Sequence, residues 1–345
     1  MTQESRAPAT LSDVAAHAGV SLATASRVLN GSTRRVRAPL HEKVVASARV
    51  LGYVVDAQAQ AVARGTSSTI ALVVGDIADP YFSGVAAGAI AAARSRGMTV
   101  TISTVSAEPE DEVEVVAALR SQRPRAVILA RSRHVDPRSE TGLAAELDAY
   151  RARGGSVSFV DGSSASDARS VRVANQEGAA ALASALVERG YRRFGVLAGD
   201  ERLVTPRDRV AGFVAGAERA GVPIAPDLVV PGGFSRDGGR DSARELLARH
   251  PDLDCVFAVT DVMAVGAMAA LRELGLEPGA DVGVAGFDDI AMLADVRPSL
   301  TTVALPLAAI GERAVELALA ADDELGATRD AVLGDLRLRE STPAR

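Results

Sequence analysis

The sequence predicts an α/β protein in three parts: an N-terminal helix-turn-helix domain, a short hinge helix, and two doubly wound parallel-sheet subdomains. Three observations predict it. Residues 11 to 64 carry helical periodicity broken by a glycine turn, apolar strand runs alternate with helical stretches from Thr69 onward, and that alternation comes in two successive series. The boundaries read as 1–55 for the first domain, 56–66 for the hinge and 67–345 for the core.

In the first part, Leu11, Val14, Ala15 and Ala18 fall on one stripe of a short helix, which Gly19-Val20 ends before a second helix opens at Ser21. Close crossing of two helices needs a small residue such as Ala15, the turn needs a residue tolerant of positive φ such as Gly19, and Val20 is an apolar plug. Ser21 can N-cap the second helix, with Ala25, Val28 and Leu29 facing inward and Leu22, Ala23, Thr24, Ser26, Arg27 and Asn30 outward. The outward set suits a DNA groove. A third helix begins near Pro39, runs along Val44, Val45, Ala48 and Leu51, and ends at Gly52. Asp56 can then N-cap a segment that Gly65 stops, a helix of about nine residues that is marginal alone.

Charge is distributed unevenly. Residues 1 to 68 hold eight Arg or Lys against four Asp or Glu, +4, whereas the whole chain is at −6, so the remainder is at −10. The basic excess lies where DNA would lie, and Arg34, Arg35 and Arg37 follow the second helix where they can neutralise phosphates.

The core reads as strands TIALVVG, MTVTIST, RAVILA and SVSFVD, separated by helices near 81 to 97, 109 to 122 and 139 to 153. A second series, RRFGVLAG, DLVVPGG, DCVFAVT and DVGVAGFDD, has helices near 175 to 190, 205 to 221, 236 to 250 and 260 to 275. Two doubly wound sheets then face each other across a cleft, where ligands collect at the carboxyl ends of strands.

Several function classes are disfavoured. After the first strand the chain reads VVGDIADPYF, without the G-x-G-x-x-G of a dinucleotide enzyme; no G-x-x-x-x-G-K-[ST] exists, and DGSSAS lacks the closing glycine of a nucleophile elbow. One cysteine, Cys255 in an apolar run, and four scattered histidines offer neither a disulfide nor a metal cluster, and no cofactor is implied. The start MTQESRAPAT has no apolar h-region and no run approaches 18 apolar residues, so a cytoplasmic protein with no membrane partner is expected.

The first part closely resembles the amino terminus of the lactose repressor/galactose repressor family of bacterial transcription regulators. The family motif DVAxxAGVSxxTVSRVLNG is repeated by Asp13-Val14-Ala15, by Ala18-Gly19-Val20-Ser21 and from Thr24 to Gly31, with Ala25 for the usual Val; Leu51-Gly52-Tyr53 and DAQAQAVARG then follow in the family's order. The resemblance covers nearly the whole chain, from about Thr10 to RESTPAR, which resembles the family's last strand. It implies a core built like periplasmic sugar-binding proteins, with one subdomain over 67–173 and 304–330 and the other over 174–303 and 331–345. It also implies a hinge helix in the minor groove, with Val62 where the family wedges a leucine, a shorter wedge. Leu40-His41 stands where the family usually has Thr-Arg near the start of the third helix, so that one phosphate contact of the family is not carried over.

The cleft candidates all lie just after strands. Asp79-Pro80-Tyr81-Phe82 matches a family segment that supplies an aromatic to stack on the effector; such a face suits a sugar's C–H face or a nucleobase equally, and the two aromatics can equally be first-turn core residues of the next helix. Asp161 and Asp288 are strand-end carboxylates that can each accept two hydroxyl hydrogen bonds, and the family has acids at both places. By resemblance, Thr205 and Arg209 match the family's TxxxRxxGF, Phe234 takes the place of a second stacking aromatic, and Asp261 follows Thr260, which replaces a usual Asn; Leu305 replaces a common Gln. The alternative for these acids and arginines is that they cap helices or pair with one another. The expected partners are a pseudo-palindromic double-stranded DNA operator, a small-molecule effector, a sugar or derivative more than a nucleobase, and a second copy of the chain. A dimer is expected because the family's tetramers carry leucine heptads that do not follow the core here. A ligand-binding protein without DNA regulation and an activator are the alternatives.

Overall fold

The computed structural model describes residues 9–29, 36–53, 67–106, 108–161, 169–321 and 331–345. The chain divides into two compact units, 1–68 and 69–345. The first holds α1 (Leu11–Ala18), α2 (Leu22–Leu29) and α3 (Ala38–Leu51). Thr10 and Asp13 form a reciprocal capping box at the start of α1, with the Thr10 amide donating to Asp13 Oδ2 at 2.8 Å. Gly19 ends α1 at φ 61°, and the Val20 amide donates back to the Ala15 carbonyl at 3.0 Å, as a left-handed helix end requires. Ser21 Oγ accepts from the Thr24 amide at 3.2 Å and so caps α2. A core of Val14, Ala15, Ala18, Ala25, Val28, Val44 and Ala48 joins the three helices, and the His17 ring meets Ser47 Oγ at 3.0 Å between α1 and α3.

The second unit contains two all-parallel sheets. One has the order β2-β1-β3-β4-β5, from β1 (Thr69–Val74), β2 (Thr99–Thr104), β3 (Ala126–Ala130), β4 (Ser156–Val160) and β5 (Ser170–Val171). The other has the order β7-β6-β8-β9, from β6 (Phe194–Gly199), β7 (Val229–Pro231), β8 (Cys255–Ala258) and β9 (Gly283–Ala285). Continuous runs such as Ile70 to Val74 and Ala126 to Ala130 are buried along their whole length, as central parallel strands covered on both faces must be. In each sheet the strand order reverses beside the first strand, the point where a crevice opens at the carboxyl ends.

Two features differ from the sequence reading. The two-residue β5 is too short to carry a pattern. The segment RESTPAR is not a strand: the last strand is β11 (Asp335–Arg337), antiparallel to β10 (Thr302–Ala304), and Ser341 and Thr342 beyond it are buried by hydrogen bonds to Val284 and Thr301. Cys255 is fully buried, and burial pushes its thiol up, so it is unreactive. Among the described residues no helix is long and apolar enough to cross a membrane, and no group of three or more His, Cys, Asp or Glu is placed to hold a metal ion.

Helix α4 (Pro80–Ser95) crosses α11 (Leu307–Leu319) so closely that a Cβ added at Gly88 would lie 1.8 Å from the Ala308 carbonyl oxygen. That oxygen is backbone and cannot rotate away. Gly88→Ala is therefore expected to cost about 1–3 kcal/mol in a urea unfolding curve; an unchanged midpoint would mean the helices can part at no cost.

Candidate ligand cleft and nucleic-acid face

On α2, Leu22 is 51% exposed, with Ser21, Ala23 and Arg27 also exposed and Thr24 and Ser26 partly so. A leucine this exposed has no role in the core; it offers an apolar contact, and Arg27 separately a bidentate donor, of the kinds that suit a thymine methyl and a guanine edge. Asn30, Arg34, Arg35 and Val62, and the hinge helix expected over 56–66, lie outside the described residues.

In the core, the carboxyl ends of both sheets line a partly open cavity of about 40 Å³. Asp79, Tyr81 and Phe82 reach it after β1, Asp161 after β4, Thr205 and Arg209 after β6, Phe234 after β7, Thr260 after β8 and Asp288 after β9. The DPYF segment both opens a helix and lines the cavity. Asp79 Oδ1 caps α4 by accepting from the Tyr81 amide at 2.9 Å, and Tyr81 and Phe82 sit in the first turn, edge to face at 5.1 Å, while lining the cavity.

The polar groups form one chain of contacts between the sheets. Asp161, held at φ 58°, accepts on Oδ2 from Thr205 Oγ1 and Asn175 Nδ2, both at 2.7 Å. Asn175 Oδ1 accepts from Arg209 Nε at 2.8 Å, and Arg209 Nη1 donates to the Val259 carbonyl at 2.7 Å. Arg209 Nη2 lies 2.9 Å from Asp288 Oδ1, off the line of a good hydrogen bond, and the guanidinium packs 4.0 Å over the Phe287 ring. Asp288 Oδ1 is thus ion-paired but has no well-directed donor. Burial raises the carboxyls of Asp79, Asp161 and Asp288 above the usual range, and the nearby Arg209 offsets only part of this.

Asp261 does not line this cavity. It is wholly buried and accepts from the Ile290 amide at 2.9 Å and Thr302 Oγ1 at 2.7 Å, tying the start of α10 (Asp261–Glu273) to the loop after β9 and to β10. The reason is helical phase: Thr260 is the N-cap and faces the cavity, and the next residue has already turned into the wall. Sequence reasoning missed Arg131 and Ser132, which line the cavity after β3, and Asn175, which joins Asp161 to Arg209. The strand-end rule applied to RAVILA would have found the first two.

Comparison with known proteins follows the same division. Residues 10–56 match the family model for bacterial regulatory proteins of the lacI family, and residues 183–342 match the periplasmic binding protein-like domain. The chain is 33% identical to the transcriptional regulator GalS of Salmonella typhimurium, over 90% of this chain and 89% of the relative. It is 31% identical to the transcriptional regulator CelR of Thermobifida fusca, over 91% and 92%. The crystal structure of the lac repressor dimer bound to operator and the anti-inducer ONPF aligns with a TM-score of 0.83 at 28% identity, over 98% of this chain and 100% of that one. The CelR–cellobiose complex aligns at 0.68 and 30% identity, over 96% and 99%.

Burial pushes Asp261 up to about 6 from an ordinary 3.8, so the folded state binds its proton more tightly than the unfolded chain does. Its contribution to stability is full below the unfolded value and is lost as pH rises through about 6. The melting temperature of the wild type relative to Asp261→Asn is therefore expected to rise as pH falls from about 7.5 to about 4.5; a difference independent of pH would contradict the assignment.

Proposed function

The chain belongs to the LacI/GalR family of bacterial transcription regulators, helix-turn-helix proteins that are not enzymes, and we propose that a homodimer of it binds a pseudo-palindromic operator under the control of a sugar-like effector held in the core cleft. Two recognition helices enter successive major grooves, with Arg27 reading a guanine, Leu22 and Ala23 meeting a thymine methyl, and Ser21, Thr24, Ser26 and Asn30 completing the face. Arg34 and Arg35 neutralise phosphates, and Val62 wedges the minor groove. Solved relatives support this reading: one is a repressor dimer bound to operator and an anti-inducer, another is a regulator bound to cellobiose.

The observation that carries the effector reading is the contact between Asp161 of the first sheet and Thr205 and Asn175 beside the second. A ligand that engages Asp161, Arg209 and Asp288 touches both halves at once, so binding biases how the halves sit against each other. Tyr81, Phe82 and Phe234 supply stacking faces, and Asp79, Thr205 and Thr260 further polar atoms. Charge narrows the class. Three carboxylates line the cavity with Arg209 and Arg131, and Arg131 is already paired with Glu112. A phosphorylated or acidic sugar would add a like charge beside buried carboxylates, so the effector is an uncharged polyol.

Thermal-shift screening should therefore find neutral mono- or disaccharides that stabilise the protein while their phosphates do not. Asp288→Asn is expected to abolish that shift and the sugar's effect on operator binding, leaving sugar-free operator affinity within about twofold; a normal response would remove the pocket assignment. Separately, Arg27→Ala should cost about 1–3 kcal/mol in operator affinity and relax preference at one base pair per half-site. Unchanged binding to a selected operator would refute that role.

A further inference from the structure

Beside the cleft, the loop after β3 and the segment leading into α8 (Val204–Arg219) run antiparallel. The Val135 amide donates to the Arg202 carbonyl and the Val204 amide to the Arg133 carbonyl, both at 2.8 Å, and the Thr205 amide donates to Ser132 Oγ at 2.9 Å. His134 and Leu203 stand opposite each other between the two backbone bonds.

The loop is held from behind by ions. Glu112, 1% exposed, accepts from Arg131 Nη1 at 2.9 Å and from Arg133 Nη1 at 2.8 Å; Arg133 also pairs with Glu140, which accepts from the His134 amide at 3.0 Å. A buried network of this kind gives little net stability, since removing each charge from water costs several kcal/mol. What it does is fix geometry. Here the backbone that it fixes is the one that grips the opposite half.

We infer that residues 131–135 and 202–205 form a clasp that holds the cleft shut and positions Thr205 to bond Asp161, with Ser132 and Arg133 as positioning residues. The inference rests on reading the cleft as the effector site. A cavity of about 40 Å³ has room for about three waters, so a sugar enters only when the clasp opens, and Thr205 then leaves Asp161 as the halves part. Clasp strength thereby sets both entry and retention.

The test uses the full chain in two forms. In an antiparallel ladder the pair lying between two outer hydrogen bonds has Cα atoms about 4.5 Å apart, within disulfide reach, so His134→Cys with Leu203→Cys should cross-link on mild oxidation, with buried Cys255 as the unreacted control. Val204→Pro removes one clasp donor but spares the helix, because position 204 is its first residue and Leu203 is already extended at φ −103°, ψ 144°. Hydrogen exchange at the Val135 and Thr205 amides should quicken at least tenfold in Val204→Pro, with exchange in the rest of that helix unchanged. Ser132→Ala should quicken Thr205 alone, and Ser132→Thr should restore it. No cross-link in folded protein, or unchanged exchange in Val204→Pro, overturns the clasp. A cross-link that forms in a protein that no neutral sugar stabilises even before oxidation supports the clasp and refutes the effector reading instead.

Discussion

The Arg209 guanidinium is the interaction on which the cleft depends. Only 3% exposed, it donates from Nε and Nη1 to Asn175 and Val259, sets Nη2 against Asp288 and lies flat on Phe287. Burying such a charge costs several kcal/mol, and the pairing must be nearly complete to offset it. That requirement places Asn175, and through it Asp161 and Thr205. Asp161, after β4, is thereby held at φ 58°, in the left-handed region that Asp tolerates better than most residues, and Asp288, after β9, at φ 120°.

The two units solve opposite electrostatic problems. Residues 1–68 are basic by +4 and the rest of the chain acidic by −10, so only the first unit carries a net attraction to a phosphate backbone. Its core rests on seven small or medium apolar residues, which is little for an independent domain. Local devices, the capping box at Thr10 and the left-handed Gly19, make up part of that deficit.

Local signals are the ones the sequence displayed. Gly19, Gly52, Ser21 and the continuous apolar runs of β1 and β3 each act within a few residues, so both the helix-turn-helix and the alternation of strands and helices were legible. Strand ends brought Asp161 and Asp288 into view because a doubly wound sheet sends its carboxyl ends to one crevice, whereas Arg209 came from the family resemblance. Asp261 was misplaced by one residue of helical phase, a quantity that composition does not carry. Glu112, Arg131 and Arg133 were passed over because their partners lie some twenty positions apart, and a surface reading of isolated charges is the ordinary outcome for such residues.

If, as proposed, occupancy of the cleft and affinity for DNA are one coupled equilibrium, the coupling must be reciprocal. For a neutral sugar found by thermal shift, its Kd is measured with and without saturating operator, and the operator's Kd with and without saturating sugar. Both Kd values are expected to change by the same factor, about 5–150-fold. A sugar that binds the cleft while both Kd values stay unchanged would contradict the coupling.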